Sequence, residues 1–222
     1  MSIKENLLQI KSQLPNHVTL VAVSKTKPVA DLMEAYNAGQ RIFGENYVQE
    51  LVEKHQELPK DIQWHFIGHL QSRKAKLIAP FVNLIHGVDS LKLLHEINKE
   101  AQKNNRVIDC LLQIFIAEEE SKFGLDEDEL NGILRFITQN SEIYKNIRVI
   151  GLMGMATFTD NQNQIKKELV HLKSIFDKLK MLPKTQNLQP TTLSMGMSGD
   201  YKLAIECGST MVRIGSSIFG VR

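Results

Sequence analysis

The sequence predicts an α/β fold, a single (β/α)8 barrel spanning residues 1–222. Three observations point to it. Short apolar runs alternate with longer stretches of helical period, and eight such runs can be counted. Their spacing of roughly 28 residues suits a strand, a loop and a helix in turn, the pattern of a parallel sheet. No G-x-G-x-x-G turn follows the first run, and a doubly wound sheet usually has about five to seven strands, so that alternative ranks second.

The chain opens on an amphipathic helix over 3–14, with Leu7, Leu8, Ile10 and Leu14 as its apolar positions. It has no continuous apolar core and no small-residue cleavage site, so it is not read as a secretory signal. The expected strands are Thr19–Ser24, Arg41–Gly44, Gln63–Ile67, Asn83–Val88, Asp109–Ile116, Ile147–Met153, Thr192–Met195 and Met211–Ile214. Helices are expected over 29–38, 46–57, 71–80, 90–104, 126–140, 161–182 and 199–207. The helix over 161–182 carries the clearest signal: Ile165, Leu169, Leu172, Phe176 and Leu179 recur at steps of three or four, and Asp160 is the expected cap. The chain runs only eight residues past the last strand, so the N-terminal helix is expected to fill the remaining gap in the outer ring.

Composition narrows the function classes. Hydrophobic residues at 42% and charged residues at 23% describe a globular, soluble chain. A net charge of +2, with lysines spread out, does not suggest nucleic acid. No apolar run approaches the ~18 residues of a membrane helix. Cys110 and Cys207 have no metal-ligand spacing, so no metal is expected, and the few cysteines favour a reducing cytoplasm.

In a barrel, function gathers where strands end. The first strand runs into "AVSKTKP". Alternation puts Val21, Val23 and Lys25 on one face and Ala22 and Ser24 on the other. If the first face points inward, Lys25 crowns the interior, where partial desolvation favours the neutral amine that attacks an aldehyde. Spacing alone favours the other reading, a snorkelling surface lysine. Lys27, beside Pro28, is expected to reach solvent.

The seventh strand ends in "SMGMSGDYKLAIECG" and the eighth in "VRIGSSIFG". Glycines and serines entering helical turns on these two strands suit a phosphate cradle, with Ser198 as a cap or just before one. Arg213, inside an apolar strand, needs a partner. A carboxylate such as Glu206 or Glu45, or a ring nitrogen of a ligand, would serve. Asn46, in "GENYVQE", is a cap or a pocket residue. His65 reads as a satisfied core group. "QSRKAK" reads as a solvated face, and Lys122 has no assigned use.

The segments "AVSKTKP", "GQRIFGENYVQE", "WHFIGHLQSRKAK" and "SMGMSGDYKLAIECGSTMVRIGSSIFG" closely resemble the pyridoxal phosphate homeostasis protein family. That family is similar to the N-terminal barrel domain of alanine racemase. The resemblance runs from Val18 to Gly220. It implies that Lys25 binds pyridoxal 5'-phosphate (PLP) as a covalent aldimine and that Arg213 faces the pyridine nitrogen. Ser198, Gly215 and Ser216 would hold the phosphate, and Asn46 would contribute to the pocket. The implied function is intracellular PLP homeostasis and cofactor supply without established catalysis, hence no catalytic residue. Transient contact with PLP-dependent enzymes is implied, with no nucleic acid or membrane partner and a monomer rather than a dimer. The alternative is a racemase-like PLP enzyme, which needs a second base that other racemases of this fold take from a further domain and a partner subunit.

Overall fold

The computed structural model describes residues 2–118 and 123–220; Lys122 lies outside the described residues. Eight strands close into a barrel in sequence order, each neighbouring pair parallel. They are β1 (Thr19–Val23), β2 (Ile42–Glu45), β3 (Gln63–Phe66), β4 (Leu84–Val88), β5 (Ile108–Gln113), β6 (Ile147–Met153), β7 (Leu188–Met197) and β8 (Met211–Ile214). A parallel neighbour cannot be reached through a tight turn, so each connection needs a crossover. The helices are α1 (Ile3–Gln13), α2 (Val29–Asn37), α3 (Val48–Glu57), α4 (Ala75–Ile78), α5 (Leu91–Lys103), α6 (Glu127–Gln139), α7 (Gln162–Lys180), α8 (Tyr201–Glu206) and α9 (Ser216–Phe219).

The period-2 alternation of the strands sorts side chains into two cores. Val21, Leu84, Leu111, Met153 and Met211 meet inside the barrel. Their sequence neighbours Leu20, Ala22, Ile85, Leu112, Leu152 and Val212 face out and pack under the helices. Val21 therefore points inward, and the face that carries Lys25 is the inner one. The gap left by the short α9 is covered by α1, which buries Leu7 and Ile10. Asn6 Nδ2 donates to the Ile218 carbonyl at 3.1 Å, and the Tyr201 hydroxyl donates to Gln13 Oε1 at 3.0 Å. The N-terminal helix thus completes the ring, as the short stretch after the last strand implied.

Several boundaries differ from expectation. β7 runs from Leu188 rather than Thr192 and reaches Met197. Pro190 interrupts the apolar run, yet it sits where the β6–β7 register shifts between Val149 and Gly151, so its missing N–H breaks no regular ladder. β6 crosses β7 closely there: a Cβ on Gly151 would lie 1.7 Å from the Thr192 carbonyl oxygen. β5 stops at Gln113 instead of Ile116, because Ile114 bridges to Leu125 of its own returning loop. The helix expected over 71–80 starts as a 3-10 turn at Ser72–Lys74 before α4. Asn161, not Asp160, caps α7: its side chain accepts from the Gln164 N–H at 3.3 Å.

Candidate functional site

At the C-terminal mouth of the barrel lies a cavity of about 520 Å³. All six residues singled out from the sequence line it: Lys25, Asn46, Ser198, Arg213, Gly215 and Ser216. They lie on or just beyond β1, β2, β7 and β8, so only closure of the sheet brings them together.

Lys25 stands just past β1, above the inward-facing Val23, at the cavity wall. Lys27 lines the same cavity and is half-buried, which corrects the expectation that it reaches solvent. Its ammonium donates to the Phe219 carbonyl at 3.0 Å, where a cation meets the negative end of the terminal helical turn.

Arg213 projects from β8 into the barrel with 4% exposure. Neither Glu206 nor Glu45 pairs with it, and among the described residues no carboxylate lies within ion-pair distance. It donates to the Ser194 carbonyl at 2.9 Å, to Ser194 Oγ at 2.6 Å and to the Gly154 carbonyl at 3.1 Å. Burial brings its pKa down to about 10, with Asp200 opposing the shift. A guanidinium has five N–H donors, so some remain for a ligand in the cavity.

Behind Arg213 runs a file of buried polar groups. Arginine only donates, so Ser194 Oγ accepts from it and its own proton is available to His86 Nδ1 at 3.2 Å. His86 then carries its proton on Nε2 and donates to His65 Nδ1 at 3.0 Å. This direction requires both imidazoles to be neutral. Burial enforces that, lowering His65 to about 3 and taking His86 well below its usual value, with the charges of His65 and Arg213 adding to the latter shift. His65 is a satisfied core group, as its strand position suggested. His86 and Ser194 were missed in sequence, although alternation along "LIHGV" and "TTLSM" aims both inward.

The two glycine-serine loops are tied together. Ser198 Oγ accepts from the Gly215 N–H at 3.2 Å, and Asp200 Oδ1 accepts from the Met197 N–H at 2.6 Å. Asp200, not Ser198, occupies the cap position of α8. The first N–H groups of the turn at Ser216 have no partner within it. Asn46 caps nothing, since Tyr47 precedes α3, and its Oδ1 is buried without a partner. Gly68 lets the third strand end close against it: a Cβ there would lie 2.3 Å from the Asn46 carbonyl oxygen.

Beneath Lys25 lies an ionic cluster. Lys54 of α3 donates to Glu45 Oε1, Glu50 Oε1 and the Ser24 carbonyl, each at 2.7 Å. Glu45 also accepts from Ser24 Oγ at 2.6 Å, while burial raises its pKa and Lys54 opposes the rise. Nothing in the local sequence sets Lys54 apart from the other charges of its helix.

The whole chain, residues 1–222, matches the family described as alanine racemase, N-terminal domain. The pyridoxal phosphate homeostasis protein of Haemophilus influenzae is 40% identical over 100% of this chain and 97% of its own length. This chain belongs to the pyridoxal phosphate homeostasis protein family. The Escherichia coli member is 37% identical over 99% of this chain and 97% of its own. PipY of Synechococcus elongatus, solved with PLP bound, is 36% identical with a TM-score of 0.88, covering 99% of this chain and 100% of PipY. Alanine racemase from E. faecalis shares the fold at a TM-score of 0.77 and 15% identity, with this chain spanning 58% of it.

Proposed function

We propose that this protein holds PLP as a Schiff base on Lys25 and serves intracellular PLP homeostasis and cofactor supply rather than catalysis. One observation carries the reading: Arg213 is a buried cation without a carboxylate partner, facing a cavity whose wall also carries a lysine amine. The cavity's volume of about 520 Å³ lies in the usual range for small ligands. When bound, PLP supplies an aldehyde carbon, a pyridine nitrogen and a phosphate. Lys25 would present its Nζ at the cavity wall as the amine for that aldehyde. Arg213 would offer its remaining N–H donors to the pyridine nitrogen, an arrangement that would leave that atom unprotonated and the ring a weaker electron sink. The loops at Ser198 and at Gly215-Ser216 would hold the phosphate through backbone N–H and hydroxyl donors. Asn46, just past β2, lines the same cavity.

PipY was solved with PLP bound, which supports PLP as the ligand, and relatives of matching length bear the homeostasis name, which favours the carrier reading. The buried free thiols Cys110 and Cys207 suit a reducing cytoplasm. The racemase fold keeps a second reading alive, an amino-acid racemase. Adding PLP to the protein is expected to produce Schiff-base absorbance near the visible edge. Lys25→Ala should abolish it; a band that persists in this variant would sink the assignment. Amino-acid α-proton exchange in deuterated water separates the two readings. A carrier shows little, whereas exchange on the order of 1 s⁻¹ or faster would establish the enzyme.

A further inference from the structure

We propose that Glu50 and Lys54 are positioning residues that clamp the backbone on both sides of Lys25. This rests on the reading that Lys25 makes the covalent bond. Residues 24–27 form a tight turn, closed by the Lys27 N–H donating to the Ser24 carbonyl at 3.1 Å, with Lys25 and Thr26 at its centre. Thr26 has a φ of 63°, left-handed backbone that a β-branched residue rarely adopts and that glycine accepts freely. Such a turn is not held by local preference, so its shape must come from tertiary contacts.

Those contacts come from α3 and β2. The Ser24 carbonyl, on the peptide before Lys25, accepts from Lys54 Nζ at 2.7 Å. The Thr26 N–H, on the peptide after Lys25, donates to Glu50 Oε1 at 2.6 Å. The same Glu50 oxygen accepts from Lys54 Nζ at 2.7 Å, so one ammonium links both anchors. Glu45, fully buried, fixes that ammonium from beneath at 2.7 Å. Glu50 and Lys54 are one helical turn apart, which lets a single face of α3 reach both peptides. With the two flanking peptides held, the Cα–Cβ bond of Lys25 has a set direction into the cavity. Neither Glu50 nor Lys54 lines the cavity, so their action is through Lys25.

The test compares two probes. Schiff-base formation with PLP is followed by absorbance. Non-covalent binding of pyridoxine 5'-phosphate, which lacks the aldehyde, is measured by calorimetry. Glu50→Ala is expected to slow Schiff-base formation about tenfold or more while pyridoxine 5'-phosphate binding changes less than about twofold. Adding Thr26→Gly to Glu50→Ala should restore most of the rate, because glycine takes up the left-handed turn unaided. Lys54→Met should behave like Glu50→Ala; since it strands Glu45 and can unfold the protein, the partly exposed Glu50 carries the decision. Unchanged Schiff-base formation in Glu50→Ala overturns the clamp. So does an equal loss with both probes, which marks general damage to the pocket, and so does failure of Thr26→Gly to rescue. If the wild type binds pyridoxine 5'-phosphate but forms no Schiff base with PLP, the covalent reading itself fails, and the clamp with it.

Discussion

Arg213 keeps its charge without a carboxylate by spending three hydrogen bonds on oxygens of Ser194 and Gly154. The cation at the cavity floor therefore remains unneutralised and attracts an acceptor atom, whereas an ion pair with Glu45 would have cancelled it. Ser194 is the joint of this arrangement, since its hydroxyl both accepts from Arg213 and faces His86. Ser194→Ala should leave His86 Nδ1 without its partner and Arg213 one bond short. The expected loss is about 1–3 kcal/mol in urea denaturation, with weaker binding of pyridoxine 5'-phosphate. A variant as stable as wild type and equally tight in binding would show that the file of polar groups is incidental.

At the scale of elements, the strands supply direction and the helices supply anchors. β1 delivers Lys25 by alternation, and α3 holds the turn that follows it. Helix ends depend on single residues, as α7 illustrates. Asp160 and Asn161 are both good caps by residue type, but only Asn161 has its side chain on the Gln164 N–H. Asn161→Ala should cost about 1 kcal/mol of stability. Asp160→Ala should cost clearly less, and urea midpoints of the two variants check the order. α7 packs beside the loop that carries Met155 to Asp160 along the cavity wall, so fraying of its first turn should also loosen that side of the site.

For the whole molecule, burying two neutral imidazoles inside the barrel ties stability to pH. Unfolded histidines take up protons near 6.5, whereas folded His65 does so only near 3 and His86 is also well depressed. The unfolded state thus binds more protons between these values, so this stabilisation is fully present above about pH 6.5 and is lost as the pH falls towards 3. His65 alone accounts for about 2 kcal/mol by pH 5. Denaturation midpoints should fall steadily from pH 7 to 5, and His65→Asn should flatten the decline; a profile unchanged by that variant would contradict the buried neutral pair.

The division between sequence and tertiary structure follows the range of the forces involved. Hydrophobic period is a local property, so the chain by itself determined the order of strands and helices, the barrel class and the alternation that puts Val21, Val23 and Lys25 on one face, while only closure of the sheet made that face the inner one. It also placed Lys25, Ser198, Arg213, Gly215 and Ser216 at strand ends, where a barrel gathers its site. Polar partners are not local. His86 and Ser194 are 108 positions apart and Ser24 and Lys54 are 30 apart, and no spacing rule links them. Closing the sheet brought those groups within hydrogen-bond distance. It gave Arg213 neutral oxygens in place of a carboxylate, drew Lys27 into the cavity wall, and turned the helix charges Glu50 and Lys54 into supports for the Lys25 turn. Burial makes each unpaired polar group costly, so the final contacts were selected by the whole fold, while periodicity chose only the elements that carry them.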